Sequence, residues 1–122
     1  MSASLRRVGR LLLSAIFVQG GLNAFREPGP RSQQAATLGI PEPDLAVRAN
    51  GLTMVVAGAA LAAGVAPRAA AGALVASLVP TTLAGHRFWD QEDARGRAMQ
   101  LTQFLKNLGL IGGLLCTMAD DG

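Results

Sequence analysis

Cysteine, histidine and lysine each occur once in this sequence, and those scarcities exclude a good deal. With Cys116 alone there is no internal disulfide and no redox-active cysteine pair. One histidine and one cysteine cannot build a metal cage from protein ligands, so neither a metal nor an intrinsic cofactor is expected. No glycine-rich loop follows a strand to cradle phosphate, and no spacing brings serine, histidine and a carboxylate into a nucleophilic set. The net charge is only +3 and its arginines are dispersed, whereas a nucleic-acid binder needs a concentrated basic face. Acidic residues are missing from the apolar runs and no internal repeat is visible, which argues against a small transporter built of inverted repeats.

What is abundant is apolar sequence in blocks. Half the residues are hydrophobic, and they fall into four runs whose charged residues lie almost wholly outside them, a distribution that belongs to membrane spans rather than to a soluble core. The expected fold is all-α, an integral membrane four-helix bundle of one domain over residues 1–122, with spans at about 10–26, 46–65, 69–86 and 98–118 and a polar connection at 27–45. Arg6, Arg7 and Arg10 precede the first run, residues 11–25, in the manner of a secretory signal. The small-x-small cleavage site is absent, however, and three further runs follow, so a retained span is expected. Gln19 and Asn23 are four apart and share a helix face. Amides facing lipid would be unsatisfied, so that face is expected to point into the bundle, as interhelical hydrogen-bond glue or as ligand contacts.

The connection is broken by Pro28, Pro30, Pro41 and Pro43, with a short helix expected at 32–38. Pro43 and Asp44 mark a helix start, the carboxylate offered to the first free amides. Asn50, Met54, Gly58 and Ala62 recur every four residues as a smooth stripe for close packing. A tight turn at residues 65–68 links antiparallel neighbours. Pro80 is expected to kink the third span and free carbonyls, with Thr81 and Thr82 ready to fill the gap. Trp89 is placed as an interfacial anchor, and residues 90–93, DQED, read as the capped start of a helix running from about 91 to 117. Cys116, inside an apolar run, reads as a small buried hydrophobe. With four spans both termini share a side. Raw arginine counting, four there against six opposite, would put them outside, but six acidic residues match those six and the first helix often dominates, so cytoplasmic termini are expected.

The last run, residues 100–116, is QLTQFLKNLGLIGGLLC and contains the only lysine against ten arginines. Unlike arginine, lysine sheds its proton when desolvated. Lys106 is expected either to snorkel toward the near surface or to share a polar pocket with Asn107, with Gln103, which shares a helix face with Asn107, and with His86, which ends the preceding span at the same level. Gly109 and Gly113 have the GxxxG spacing that permits close helix contact, within the chain or with a protein partner or second copy.

Two strings carry a resemblance: PTTLAGHRFW at residues 80–89 and FLKNLGLIGGLL at 104–115. Together with RANG at 48–51 and the four-span spacing, they resemble the DoxX family of small bacterial membrane proteins, in an actinobacterial-type branch, over roughly residues 10–116. The resemblance implies a multi-pass protein of the bacterial plasma membrane, in contact with lipid and associated with redox functions. It implies a quinone-linked subunit or accessory protein, catalytic or not; the alternatives are a scaffold for soluble redox or stress proteins and a small transporter. Many relatives have an acidic residue where this chain has Asn50, so a mechanism requiring a carboxylate opposite Lys106 does not carry over. The residues expected to bind a ligand, a quinone first, are Lys106, Asn107, His86, Gln19, Asn23, Asn50 and Gln103. Quinone carbonyls accept hydrogen bonds from such donors while apolar walls hold the tail.

Overall fold

The computed structural model describes residues 2–120. Five α-helices follow one another: α1 (Ala3–Arg26), α2 (Gly29–Thr37), α3 (Pro43–Ala63), α4 (Pro67–Gly85) and α5 (Ala94–Ala119), with one 3-10 turn, Phe88–Asp90, before α5. No strand occurs among the described residues. α1, α3 and the stretch Pro67–Asp90 are long and apolar enough to cross a membrane. α5 is the longest helix at 26 residues, about 39 Å at the usual rise, but Gln103, Lys106 and Asn107 lower its hydropathy.

Capping chemistry fixes the helix ends. Ser2 Oγ accepts from the Leu5 amide at 3.1 Å to start α1, and Asp93 Oδ1 accepts from the Gly96 amide at 3.0 Å to start α5. The acidic cluster at 90–93 is therefore split, Asp90 closing the 3-10 turn and Asp93 capping the helix, three residues later than expected from sequence. α3 begins at Pro43 with Asp44 in its first turn, but no side chain caps it. There Asp44 meets the positive end of the helix dipole instead. α2 begins at Gly29, earlier than expected, with Pro30 in its first turn, where the missing amide proton costs nothing. The link between α3 and α4 is a Schellman turn: Val65 N donates to Ala60 O at 2.9 Å around Gly64 N to Leu61 O at 3.1 Å. Gly64 supplies the left-handed φ of 73° this closure requires.

The connections force neighbouring long helices antiparallel. α3 starts where α1 ends, since Arg48 Nη1 donates to Phe25 O at 2.7 Å. At the opposite end Arg6 meets Asp120 at 3.8 Å, and Arg68 donates to Asp120 O at 2.9 and 3.1 Å, so the outer ends of α1 and α5 come together beside the start of α4. α1 packs chiefly on α3, α3 on α4, and α4 on α5, while α1 touches α5 sparsely and α2 lies across the ends of α3 and α4.

The core is narrow. Phe17, Leu61, Leu74 and Leu114 are the large side chains enclosed in it, joined by Ala57, Ala70, Ala71 and Leu78. Lipid is as apolar as leucine, so such a bundle is held by close packing rather than by escape from water. The tightest approach is between α1 and α3: a Cβ on Gly21 would lie 2.5 Å from Gly51 O, and one on Gly51 would lie 2.7 Å from Gly21 O. Of the expected stripe on α3, Gly58 is buried against Phe17 and Val18 of α1. Cys116 is exposed rather than buried, because the buried positions of α5 are Asn107 and Leu114 and Cys116 lies about 160° round the helix from Leu114's side.

Candidate functional site

Polar side chains inside the bundle form three rungs, each using α4. Ser77 Oγ donates to Asn50 Oδ1 at 2.6 Å, Asn50 Nδ2 donates to Thr81 Oγ1 at 3.0 Å, and Thr81 Oγ1 donates to Ser77 O at 2.9 Å, closing a ring between α3 and α4. One residue on, buried Asn107 of α5 donates to Thr82 Oγ1 at 2.9 Å, and Thr82 donates to Leu78 O at 2.7 Å. At the end of α4, His86 Nδ1 pairs with Gln100 Oε1 at 2.8 Å.

Pro80 directly precedes Thr81 and Thr82, the α4 hydroxyls of the first two rungs, inside a helix that continues through it. It has no proton for the Ala76 carbonyl. Thr81 and Thr82 do bond to carbonyls beside the gap, but to those of Ser77 and Leu78. Their hydroxyls also accept from the facing helices, so the proline region is tied sideways to α3 and α5.

The expected site residues therefore fall into three groups. Asn50, Asn107 and His86 are brought to one polar seam along α4, each bonded to a different partner. Lys106 and Gln103 pair with each other, Nζ to Oε1 at 2.8 Å, on the outside of α5; Lys106 is exposed and Gln103 half-buried. Lys106 thus reaches one turn back toward the start of its helix, as a snorkelling side chain does.

Gln19 and Asn23 correct the expectation made for them. They are exposed on α1 rather than turned into the bundle. The buried side of α1 is set by Ser14, Phe17, Gly21 and Ala24, whose small members let the helix lie on α3. Gln19 lies about 200° from Phe17 at 100° per residue. Of the glycine pair on α5, Gly113 faces Leu13 of α1, whereas Gly109 and Gly112 have nothing within 4 Å of where a Cβ would stand.

Sequence reasoning passed over Ser77, Gln100 and a ring cluster. Phe88, Trp89 and Phe104 stack edge to face, with centroids 5.1 to 5.9 Å apart, so Trp89 is fixed against α5 as well as set at the end of a span. Arg87 lies over Trp89 at 5.3 Å and reaches Asp90. The signal for the polar rungs was present as hydroxyls at 77, 81 and 82 flanking a proline in an apolar run. Among the described residues no group of three histidine, cysteine or acidic side chains is disposed to hold a metal ion.

Comparison with curated proteins and with solved structures finds no match. A family model, DoxX, matches residues 5–87, from the start of α1 to just past His86. The matched stretch contains the RANG string, whose structural roles are now visible: Arg48 caps the end of α1, Asn50 joins the α4 ring, and Gly51 admits α1. It stops short of α5, so the string at 104–115 lies outside it. With well over half of its sequence matched, this chain of membrane-type helices belongs to the DoxX family.

Proposed function

We propose that the chain is a four-span, non-catalytic membrane subunit of a quinone-linked redox assembly, with α5 as the fourth crossing. Contacts at three levels support that crossing: Gly72 beside Met118, Thr82 with Asn107, and His86 with Gln100. α5 thus runs beside α4 from end to end, and a membrane that encloses α4 encloses α5.

The observation that carries the ligand reading is Lys106. Its amine is exposed on α5, bonded only to the Gln103 amide, and forms no ion pair among the described residues. Lysine at bilayer depth costs about 2.5 to 3.5 kcal/mol on insertion scales, and a neutral amide does not offset a charge. A carbonyl-bearing ring held from the lipid side accepts a hydrogen bond from this amine, with its tail along the uncovered surface at Gly109 and Gly112. A quinone, when bound, supplies two-electron and two-proton carriage. The chain supplies donors and an apolar lane, and Cys116 has no cysteine partner for electron transfer. Asn50, Asn107 and His86 hold α4 in place behind that face.

One observation favours the scaffold reading beside it: the polar side chains of the three rungs along α4 are paired with one another. On that reading the chain offers its surface rather than its interior.

The test compares wild type, Lys106→Met and Lys106→Arg in membranes for labelling by a photoreactive quinone analogue. Labelling that maps to α5 and is lost in Lys106→Met is the expected result. Equal labelling of all three, or labelling elsewhere in the chain, would overturn the quinone reading and leave Lys106 as a surface anchor.

A further inference from the structure

The outer side of α1 carries a second polar feature that no partner satisfies among the described residues. Leu5, Gly9, Leu12, Ile16, Gln19 and Asn23 are all exposed. Their spacings alternate four and three, the 3.5-residue repeat of a left-handed helix-helix seam. Leu5 and Leu12 are among the most exposed large side chains, at 64% and 73%, and a Cβ on Gly9 would meet nothing within 4 Å. The seam thus offers a continuous strip of contact along a helix with the length and hydropathy of a membrane span.

Gln19 is the member that demands an explanation. It stands nine residues after Arg10 and seven before Arg26, about 13 and 10 Å from them along the axis, near the middle of the apolar section. Its side chain is too short to reach either surface, and neither its amide nor that of Asn23 has a partner among the described residues. Acyl chains cannot supply a hydrogen bond, so an amide at this depth is satisfied only by another polypeptide or by water.

We infer that this seam is the contact between two copies of the chain, packed α1 against α1 in parallel. Two features select a second copy over an unrelated helix. A primary amide both donates and accepts, so Gln19 and Asn23 are complementary to themselves across a two-fold axis, where each residue meets its own counterpart. In a shared membrane orientation the symmetry also brings equal depths together automatically. The membrane-embedded part of the seam contains no charge to repel its own copy. The contrast with Lys106 is direct, because a two-fold axis there would set amine against amine. The α1 seam lies on a different helix from the Lys106 face, so the inference stands whether or not a quinone binds.

The experiment uses the full chain reconstituted in phosphatidylcholine vesicles, with association read by energy transfer between differently labelled copies. Gln19→Leu should weaken association about 3- to 20-fold, the range of one membrane hydrogen bond, and Gln19→Asn should restore part of it. In a Cys116→Ser background, Leu12→Cys and Ile16→Cys should form intermolecular disulfides, while Leu108→Cys on α5 should not. A chain that is monomeric at every protein-to-lipid ratio overturns the proposal. So does association indifferent to Gln19→Leu, or cross-linking that is equal at Leu108 and Leu12.

Discussion

The α1–α3 contact and the outer face of α5 are both built on glycine, and they use it in opposite ways. At Gly21 and Gly51 a single added carbon would strike a backbone carbonyl of the facing helix, whereas at Gly109 and Gly112 it would meet open space. The difference teaches that a small residue only permits close approach; whether an approach occurs depends on what else pulls the helices together. Between α1 and α3 the pull is visible in Arg48 bonded across to Phe25 O and in Phe17 packed over Gly58. On α5 the polar ties point the other way, through Asn107 and Gln100 to α4. The GxxxG spacing sits on α5, while the tightest glycine contact between helices pairs one residue from each of two helices and has no such spacing to announce it.

The largest effect should come from breaking the closed side of this comparison. Gly21→Ala places its methyl carbon against Gly51 O, and α1 must lift away from α3 to admit it. A loss of about 2 to 3 kcal/mol is expected, the upper part of the overpacking range, measured by denaturant titration in mixed micelles. Gly109→Ala meets nothing and removes a flexible residue from a helix interior, so it should be neutral or stabilising by about 0.5 kcal/mol. Equal losses in the two variants would show that the contrast between the faces is not real.

A middle-sized effect is expected at the polar rungs that hold α5 inward. Asn107→Leu removes the bond to Thr82 Oγ1, but Thr82 keeps its bond to Leu78 O, so no buried donor is left unsatisfied. The expected cost is about 0.6 to 1.7 kcal/mol. Ser77→Ala leaves Asn50 Oδ1 without its donor and should fall in the same range. Lys106→Leu, next in sequence to Asn107 but exposed, should leave helix packing unchanged in the same titration. A loss there as large as that of Asn107→Leu would mean that Lys106 is an internal tie.

How much of this could be read from the residues follows from the period of each pattern. Four long helices, the proline breaks, the tight turn after residue 64 and the shared end for both termini came from apolar blocks and punctuation, signals that neighbours rarely override. Helix starts were legible to within a few residues, because more than one acidic side chain competed to cap α5. The site was legible in composition but not in direction. Lys106, Asn107 and Gln103 lie close together in sequence, and nothing in it states that successive residues 106 and 107 take opposite roles, one exposed and one buried. Gln19 and Asn23 face outward, because within a membrane an amide is satisfied by a second polypeptide or by water as well as by its own chain.

The smallest effect on the fold belongs to the uncovered lane, and its smallness is the point. Gly109→Leu and Gly112→Leu add bulk where no atom lies within 4 Å, so each should change stability by no more than about 0.5 kcal/mol, as at ordinary surface positions. Their effect on binding should be out of proportion to that. A leucine at 109 stands one turn from Lys106, on the path proposed for the tail of a quinone, and should reduce labelling by a quinone analogue while far-ultraviolet circular dichroism and the denaturation midpoint stay at wild-type values. Gly113→Leu is the companion variant: its Cβ would lie 3.6 Å from Leu13, so it should disturb the sparse α1–α5 contact and lower stability. Stability lost at 113 with labelling lost at 109 would divide one sequence motif into a residue used within the chain and a residue left open for a ligand. If both variants lose stability alike, α5 is covered on this side and the lane proposed for the quinone tail does not exist.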